Sequence, residues 1–153
     1  MMMNPQHNQK IAAPKWVPKN DEITYFITLC TQNKTPYFGD VIASKMHLSP
    51  VGELAQNLWI ELPEHFDALR LENFVIMPDH MHAIFIIDRK NQHNVEHIIN
   101  AYKSALARYA QKFNYPMQWQ NGFYKHIIKE QKVYENIAAY IEDNPRNWKK
   151  LRA

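Results

Sequence analysis

The sequence predicts an α+β fold, a split β-α-β arrangement with a four-stranded antiparallel sheet and helices on one face. Three observations predict it. Ile23 to Thr31 (ITYFITLCT) is β-branched and aromatic on both of its alternating faces, as a central strand covered on each side must be. Two apolar runs, Arg70 to Met77 and His80 to Ile87, are joined so tightly at Met77-Pro78-Asp79 that they should pair antiparallel. Three segments of helical periodicity separate and follow these strands.

Taken in order, residues 1 to 21 carry Pro5, Pro14 and Pro18 among Asn, Gln and Lys and read as a flexible or irregular lead-in. Residues 22 to 153 read as a single domain. After the first strand comes a loop, QNKTPYFGD. Ser49-Pro50 then offers a capping hydroxyl before a proline at the first helical position, and Val51, Leu54, Ala55, Leu58 and Leu62 recur at helical spacing up to about Pro63. The second and third strands follow. Val95, Ile98, Ile99, Tyr102, Leu106, Tyr109 and Phe113 make the apolar stripe of a second helix. Trp119 to Lys129 supplies a fourth strand, and Val133, Ile137, Tyr140 and Ile141 mark a third helix stopping at Asn144-Pro145. The order β-α-β-β-α-β is ferredoxin-like, with the last helix as an addition.

The chain of 153 residues suits one hydrophobic core. No apolar run approaches the roughly 20 residues that span a bilayer, which excludes a membrane helix. The first residues lack the apolar core of a signal peptide, and Cys30 is the only cysteine. A reducing cytoplasm is therefore expected. Lys and Arg total 18 against 15 acids, a net charge of +3, modestly favourable to a polyanion without compelling one.

The chemistry concentrates in two places. On the third strand, His80 and His82 share one face and stand close enough to lean onto one metal ion or one phosphate oxygen. A hydrogen-bonded structural pair and an adventitious metal site are equally compatible with that pattern. On the third helix, Tyr140 and Asn144 lie four residues apart on one face with Val133 and Ile137. That face should therefore point at the sheet. Alone, Tyr140 reads as core packing and Asn144 as a helix-end cap; a ligand site is the other reading. Lys103, Arg108 and Lys112 on the second helix are either a solvated face or phosphate contacts. Lys149, Lys150 and Arg152 near the C-terminus admit the same two readings.

Three segments, FVIMPDHMHAIF, WQNGFYKHIIKEQ and YIEDNP, together resemble the REP-associated tyrosine transposases and the IS200-like insertion-sequence transposases, the single-tyrosine branch of the HUH endonucleases. The likeness covers nearly all of the chain after its lead-in. It implies a ferredoxin-like fold, a divalent metal (Mg²⁺ or Mn²⁺) held by His80 and His82 with Asn144 as third protein ligand, and Tyr140 as nucleophile. The implied activity is a metal-dependent single-strand DNA endonuclease and transposase that forms a 5′-phosphotyrosine link. The implied partner is single-stranded or hairpin (REP-like) DNA, and the implied assembly is a monomer or homodimer. His126 recurs in the family, where it is either close to the site or a structural hydrogen-bonding residue. Lys125, where many relatives have an acid, and Asn121-Gly122, where a base is frequent, depart from the pattern and bear on DNA preference. Two rivals stand beside this reading. A histidine-dependent phosphoesterase would use the imidazoles as acid and base, and a catalytically idle nucleic-acid-binding module would stack bases on exposed aromatics.

Overall fold

A computed structural model describes residues 16–90 and 93–149. Residues 1–15 of the expected lead-in, together with Lys150 and Arg152, lie outside the described residues. Six strands and three α-helices are seen within them: β1 (Glu22–Cys30), β2 (Gly39–Ile42), β3 (Lys45–Leu48), α1 (Pro50–Glu61), β4 (Leu69–Met77), β5 (His80–Asp88), α2 (Val95–Lys112), β6 (Tyr124–Ile128) and α3 (Gln131–Asp143).

The main sheet has the order β4-β5-β1-β6 with every pair antiparallel. That is the split β-α-β topology expected from the chain order, with β1 in the middle. Strand alternation then divides the side chains. Ile27 and Leu29 of β1 and Met81, Ala83 and Phe85 of β5 face α1 and α2, where they join Trp59, Tyr102 and Leu106 in the larger core. Trp59 meets Phe85 and Tyr102 edge-on at 5.8 and 5.1 Å, and the Tyr102 hydroxyl donates to the Ala55 carbonyl at 2.8 Å. Each such fully buried large side chain contributes on the order of 1.5–3 kcal/mol. The opposite face carries a smaller core in which Ile84 and Ile128 pack against Tyr134, Ala138 and Ile141 of α3. Helices α1 and α2 thus share one face of the sheet, and α3 is added on the other.

The starts of α1 and α2 are both capped by a side chain, the first of them at the Ser49 expected from the sequence. Ser49 Oγ accepts from Gly52 N at 3.1 Å ahead of Pro50, and Asn94 Oδ1 accepts from His97 N at 2.8 Å. Gly52 is obligatory for a further reason: a Cβ there would lie 2.1 Å from the Phe38 carbonyl oxygen.

Three local features differ from expectation. The segment read as a loop after β1 leads into a hairpin, β2–β3, turned by Ala43 and Ser44 with φ of 53° and 66°. Strands this short, turned by residues that rarely adopt positive φ, carry no Asn-Gly signal. In β4 the register shifts between Leu71 and Phe74. This bulge turns Leu71 and Phe74 both toward the larger core and lets Glu72 reach the Tyr134 hydroxyl at 2.8 Å. The fourth strand, expected from Trp119, begins only at Tyr124. Trp119 makes one isolated bridge to Thr31, and Gly122 with φ of 76° breaks the run. Among the described residues no helix is long and apolar enough to cross a membrane.

Candidate active site

The tight turn between β4 and β5 places His80 first and His82 third on β5, on the sheet face that carries α3. Their rings are 4.6 Å apart between centroids. Each ring is oriented through Nδ1. Asp79 Oδ1 lies 2.6 Å from His80 Nδ1; since a carboxylate only accepts, a neutral His80 donates there and keeps its lone pair on Nε2. Thr28, directly opposite His82 in β1, puts Oγ1 2.8 Å from His82 Nδ1. Asp79 is itself fixed by its backbone carbonyl, which accepts from Thr31 N and Thr31 Oγ1, each at 3.0 Å.

His82 is 6 % exposed, and its Nε2 is buried with no hydrogen-bond partner. Burial, and secondarily the neighbouring His80, push its pKa down to about 3. The ring is therefore neutral near pH 7, with one nitrogen available to a ligand. The unfolded chain, titrating near ~6.5, binds a proton that the folded chain refuses between those two values. The stability that goes with a neutral His82 is thus fully present above about pH 6.5 and is lost as pH falls toward 3, by up to about 1.4 kcal/mol per pH unit. Urea denaturation in chelator from pH 7 to pH 4 is expected to show this decline, and His82→Gln to flatten it.

Helix α3 lies differently from the expectation that the Tyr140 face points at the sheet. Its buried stripe is Tyr134, Ala138 and Ile141, with Val133 and Ile137 partly buried beside it. Tyr140, about 100° round the helix from Ile141, sits on the flank. It is 52 % exposed, with its ring 5.2 Å from that of His82. A phenol so placed touches both His82 and solvent. Asn144 at the C-cap is buried, and its Nδ2 donates to the Tyr140 carbonyl at 3.1 Å. That bond uses a donor of the amide, so its Oδ1 remains an acceptor. Four residues further on, Trp148 brings its ring to 6.2 Å from His80. Tyr140 near the end of α3 thus stands beside His82, and Trp148 in the segment that follows α3 stands beside His80.

Other nucleophiles are disfavoured by their surroundings. Tyr102 is buried, and burial raises its pKa above the phenol range. Burial and the Glu72 carboxylate do the same to Tyr134. Cys30, opposite His80 in the register, is pushed up by burial and stays a thiol.

The basic residues singled out in the sequence scatter. Lys103 is half-buried. Its Nζ donates to the carbonyls of Gln120 and Gly122 at 2.9 Å each and lies over the Trp119 ring, so it clamps the loop that leads into β6. Arg108 lies over Tyr109 and Lys112 over Phe113, at 5.8 and 5.9 Å, on the outside of α2. His126, exposed on β6, shares the sheet face of His82. Lys149 is exposed beside Trp148.

Sequence reading missed Thr28, Asp79 and Trp148. Asp79 had a signal, being adjacent to His80; Thr28 needed the β1–β5 register.

No three His, Cys, Asp or Glu side chains cluster as a cation cage among the described residues. The donors that stand together are instead two imidazoles, those of His80 and His82. The fit of a divalent cation rests on the buried, unpartnered His82 Nε2 and on a His80 ring whose tautomer Asp79 holds. Imidazole and carbonyl donors suit Mn²⁺, and Mg²⁺ with its retained waters.

Comparison with known proteins adds four findings. The family model described as "Transposase IS200 like" matches residues 19–144. A protein of unassigned function from Haemophilus influenzae is 29 % identical, over 93 % of this chain and 91 % of its own length. Among solved structures, a REP-associated tyrosine transposase bound to a REP hairpin superposes with a TM-score of 0.61 at 17 % identity, covering 89 % of this chain and 73 % of that one. A candidate transposase from Deinococcus radiodurans R1 gives 0.56 at 17 % identity, covering 85 % of this chain and 96 % of that one. At such identities the two structures show a shared fold.

Proposed function

The chain belongs to the family of IS200-like transposases, and from that membership we propose that it cleaves and rejoins single-stranded DNA, with Tyr140 as nucleophile and His80, His82 and Asn144 as holders of a divalent cation. The observation that carries this reading is the contact of the half-exposed Tyr140 ring with His82, a histidine whose Nε2 is buried and unpartnered. A structural tyrosine has no need of solvent, and a structural histidine has no need of an orphaned nitrogen.

In the proposed reaction, Tyr140 Oη attacks the phosphorus of a backbone phosphate in line with the departing O3′. The Oη–P bond forms, the P–O3′ bond breaks, the phenolic proton passes to solvent, and the departing O3′ takes up a proton from solvent to become a hydroxyl. The product is a 5′-phosphotyrosine and a free 3′-hydroxyl. Attack by another 3′-hydroxyl reverses the step with its bond energy conserved, so strands are rejoined without a nucleotide cofactor. A bound Mg²⁺ or Mn²⁺ supplies charge stabilisation to the phosphate oxygens and the leaving group. The protein's own contribution is positioning. Asp79 and Thr28 hold the two rings, burial keeps His82 neutral, and Asn144 ties its amide to the Tyr140 carbonyl. In the rival in which the histidines serve as acid and base, His82 is disfavoured as the acid, because burial keeps it neutral.

The proposed partner is hairpin DNA with an unpaired flank, because in-line attack on one strand requires that strand to be released from pairing. Such an oligonucleotide is expected to bind at least tenfold tighter than a fully matched duplex of the same length in a titration at one fixed salt concentration. Equal affinities would count against this partner.

A further inference from the structure

We infer that Tyr124 is the stacking platform for an unpaired base beside the phosphate that Tyr140 attacks. This rests on the single-strand reading above and adds a residue that fixes where the strand lies. The register sets Tyr124 of β6 opposite Thr28 of β1, and Thr28 opposite His82 of β5. The three side chains form one row across the sheet face that carries Tyr140. Two interstrand steps of about 4.8 Å put Tyr124 roughly 10 Å from His82, within one to three nucleotides of a strand that rises about 3.4 Å per stacked residue.

This half of the face is open among the described residues. Helix α3 packs mainly over β4 and β5, whereas β6 is the sheet edge; of its three residues on this face, Ile128 is buried while Tyr124 and His126 are exposed. Tyr124 is 55 % exposed, and its ring meets Phe26 edge-on at 6.1 Å and 71°. That contact braces the ring while leaving more than half of the residue to solvent. A braced, exposed aromatic in line with a proposed nucleophile suits a base whose π-face is free, which an unpaired base has and a base within a duplex does not. His126, two residues along, is exposed on the same face and extends the track along the edge. Lys103, by clamping the Gln120 and Gly122 carbonyls, holds the loop from which the edge strand starts.

The test scans 2-aminopurine, whose fluorescence is quenched by stacking, through the single-stranded flank of a hairpin oligonucleotide. Parent, Tyr124→Ala and Tyr124→Phe proteins are compared at one low salt concentration. Quenching is expected in the parent at one or two adjacent positions, to vanish in Tyr124→Ala and to persist in Tyr124→Phe. Affinity for the flank should fall about 5- to 150-fold in the alanine variant, the range for one base on one ring, and KM for cleavage should rise more than kcat falls. Tyr124 is largely exposed, so an unchanged circular dichroism spectrum is expected and confirms the fold. No quenching in the parent, or quenching that survives in Tyr124→Ala, overturns the inference. So does a change of sedimentation in that variant with flank binding unaltered, which would assign Tyr124 to a second copy of the chain. Quenching is read without cleavage, so a protein that stacks the base yet forms no adduct would refute the nucleophile and leave the platform standing.

Discussion

His82→Ala is expected to lower divalent-cation-dependent strand cleavage by about a hundred- to a thousandfold or more, and His80→Ala to do the same. Both proteins should remain folded. The expectation follows from what surrounds each ring. His82 presents one buried nitrogen that nothing in the protein satisfies, and His80 is held by Asp79 in the tautomer that leaves its Nε2 lone pair free. Neither ring can replace the other, because a cation site that keeps open positions cannot be rebuilt on one imidazole. The alanine at 82 leaves a small cavity under α3, a cost of a few kcal/mol at most, partly offset by removing an imidazole that opposes folding in acid. Calorimetric titration with Mn²⁺ separates binding from turnover. The parent should bind one equivalent, and each variant should lose that binding. If both variants bind the cation and cleave as the parent does, the pair is structural.

The strand order was legible because it follows from patterns with a strong physical cause. ITYFITLCT is apolar on both faces and proves to be one of the sheet's two inner strands. The Met77-Pro78-Asp79 turn forced an antiparallel pair, and Ser49-Pro50 marked a helix start. What stayed hidden depends on tertiary register or on residues acting against their preferences. Ala43 and Ser44 adopt positive φ in the β2–β3 turn, which no propensity announces. The β4 bulge breaks the alternation that strand reading assumes. Tyr109 and Phe113 were read as part of the core stripe of α2, yet they are exposed, with Arg108 and Lys112 over their rings. At the site, spacing placed His80 with His82 and Tyr140 with Asn144. It misjudged how α3 turns: Tyr134, Ala138 and Ile141 take the buried stripe, which leaves Tyr140 on the flank. A stripe of three buried residues can be drawn more than one way on thirteen helical positions, and the choice is made by what Ile84 and Ile128 offer from the sheet. Partners such as Thr28 become visible only once β1 is paired with β5.

Tyr140→Phe is expected to abolish cleavage and covalent attachment while DNA and cation binding persist. The substitution removes one oxygen from a half-exposed side chain, so stability should change by less than about 1 kcal/mol. Tyr134→Phe, on the same helix, is the contrasting case. It removes the 2.8 Å hydrogen bond to Glu72 inside the smaller core and should cost about 1–3 kcal/mol of stability with cleavage retained. Opposite outcomes from two phenols six residues apart separate a reacting group from a packing one. The most direct measurement is to incubate the parent protein with a labelled hairpin oligonucleotide and Mn²⁺, resolve the products under denaturing conditions, and sequence the retarded species by mass spectrometry after trypsin. The account predicts one adduct, a nucleotide 5′-phosphate on Tyr140, absent from Tyr140→Phe; an adduct on another tyrosine, or cleavage that survives in the phenylalanine variant, would contradict it.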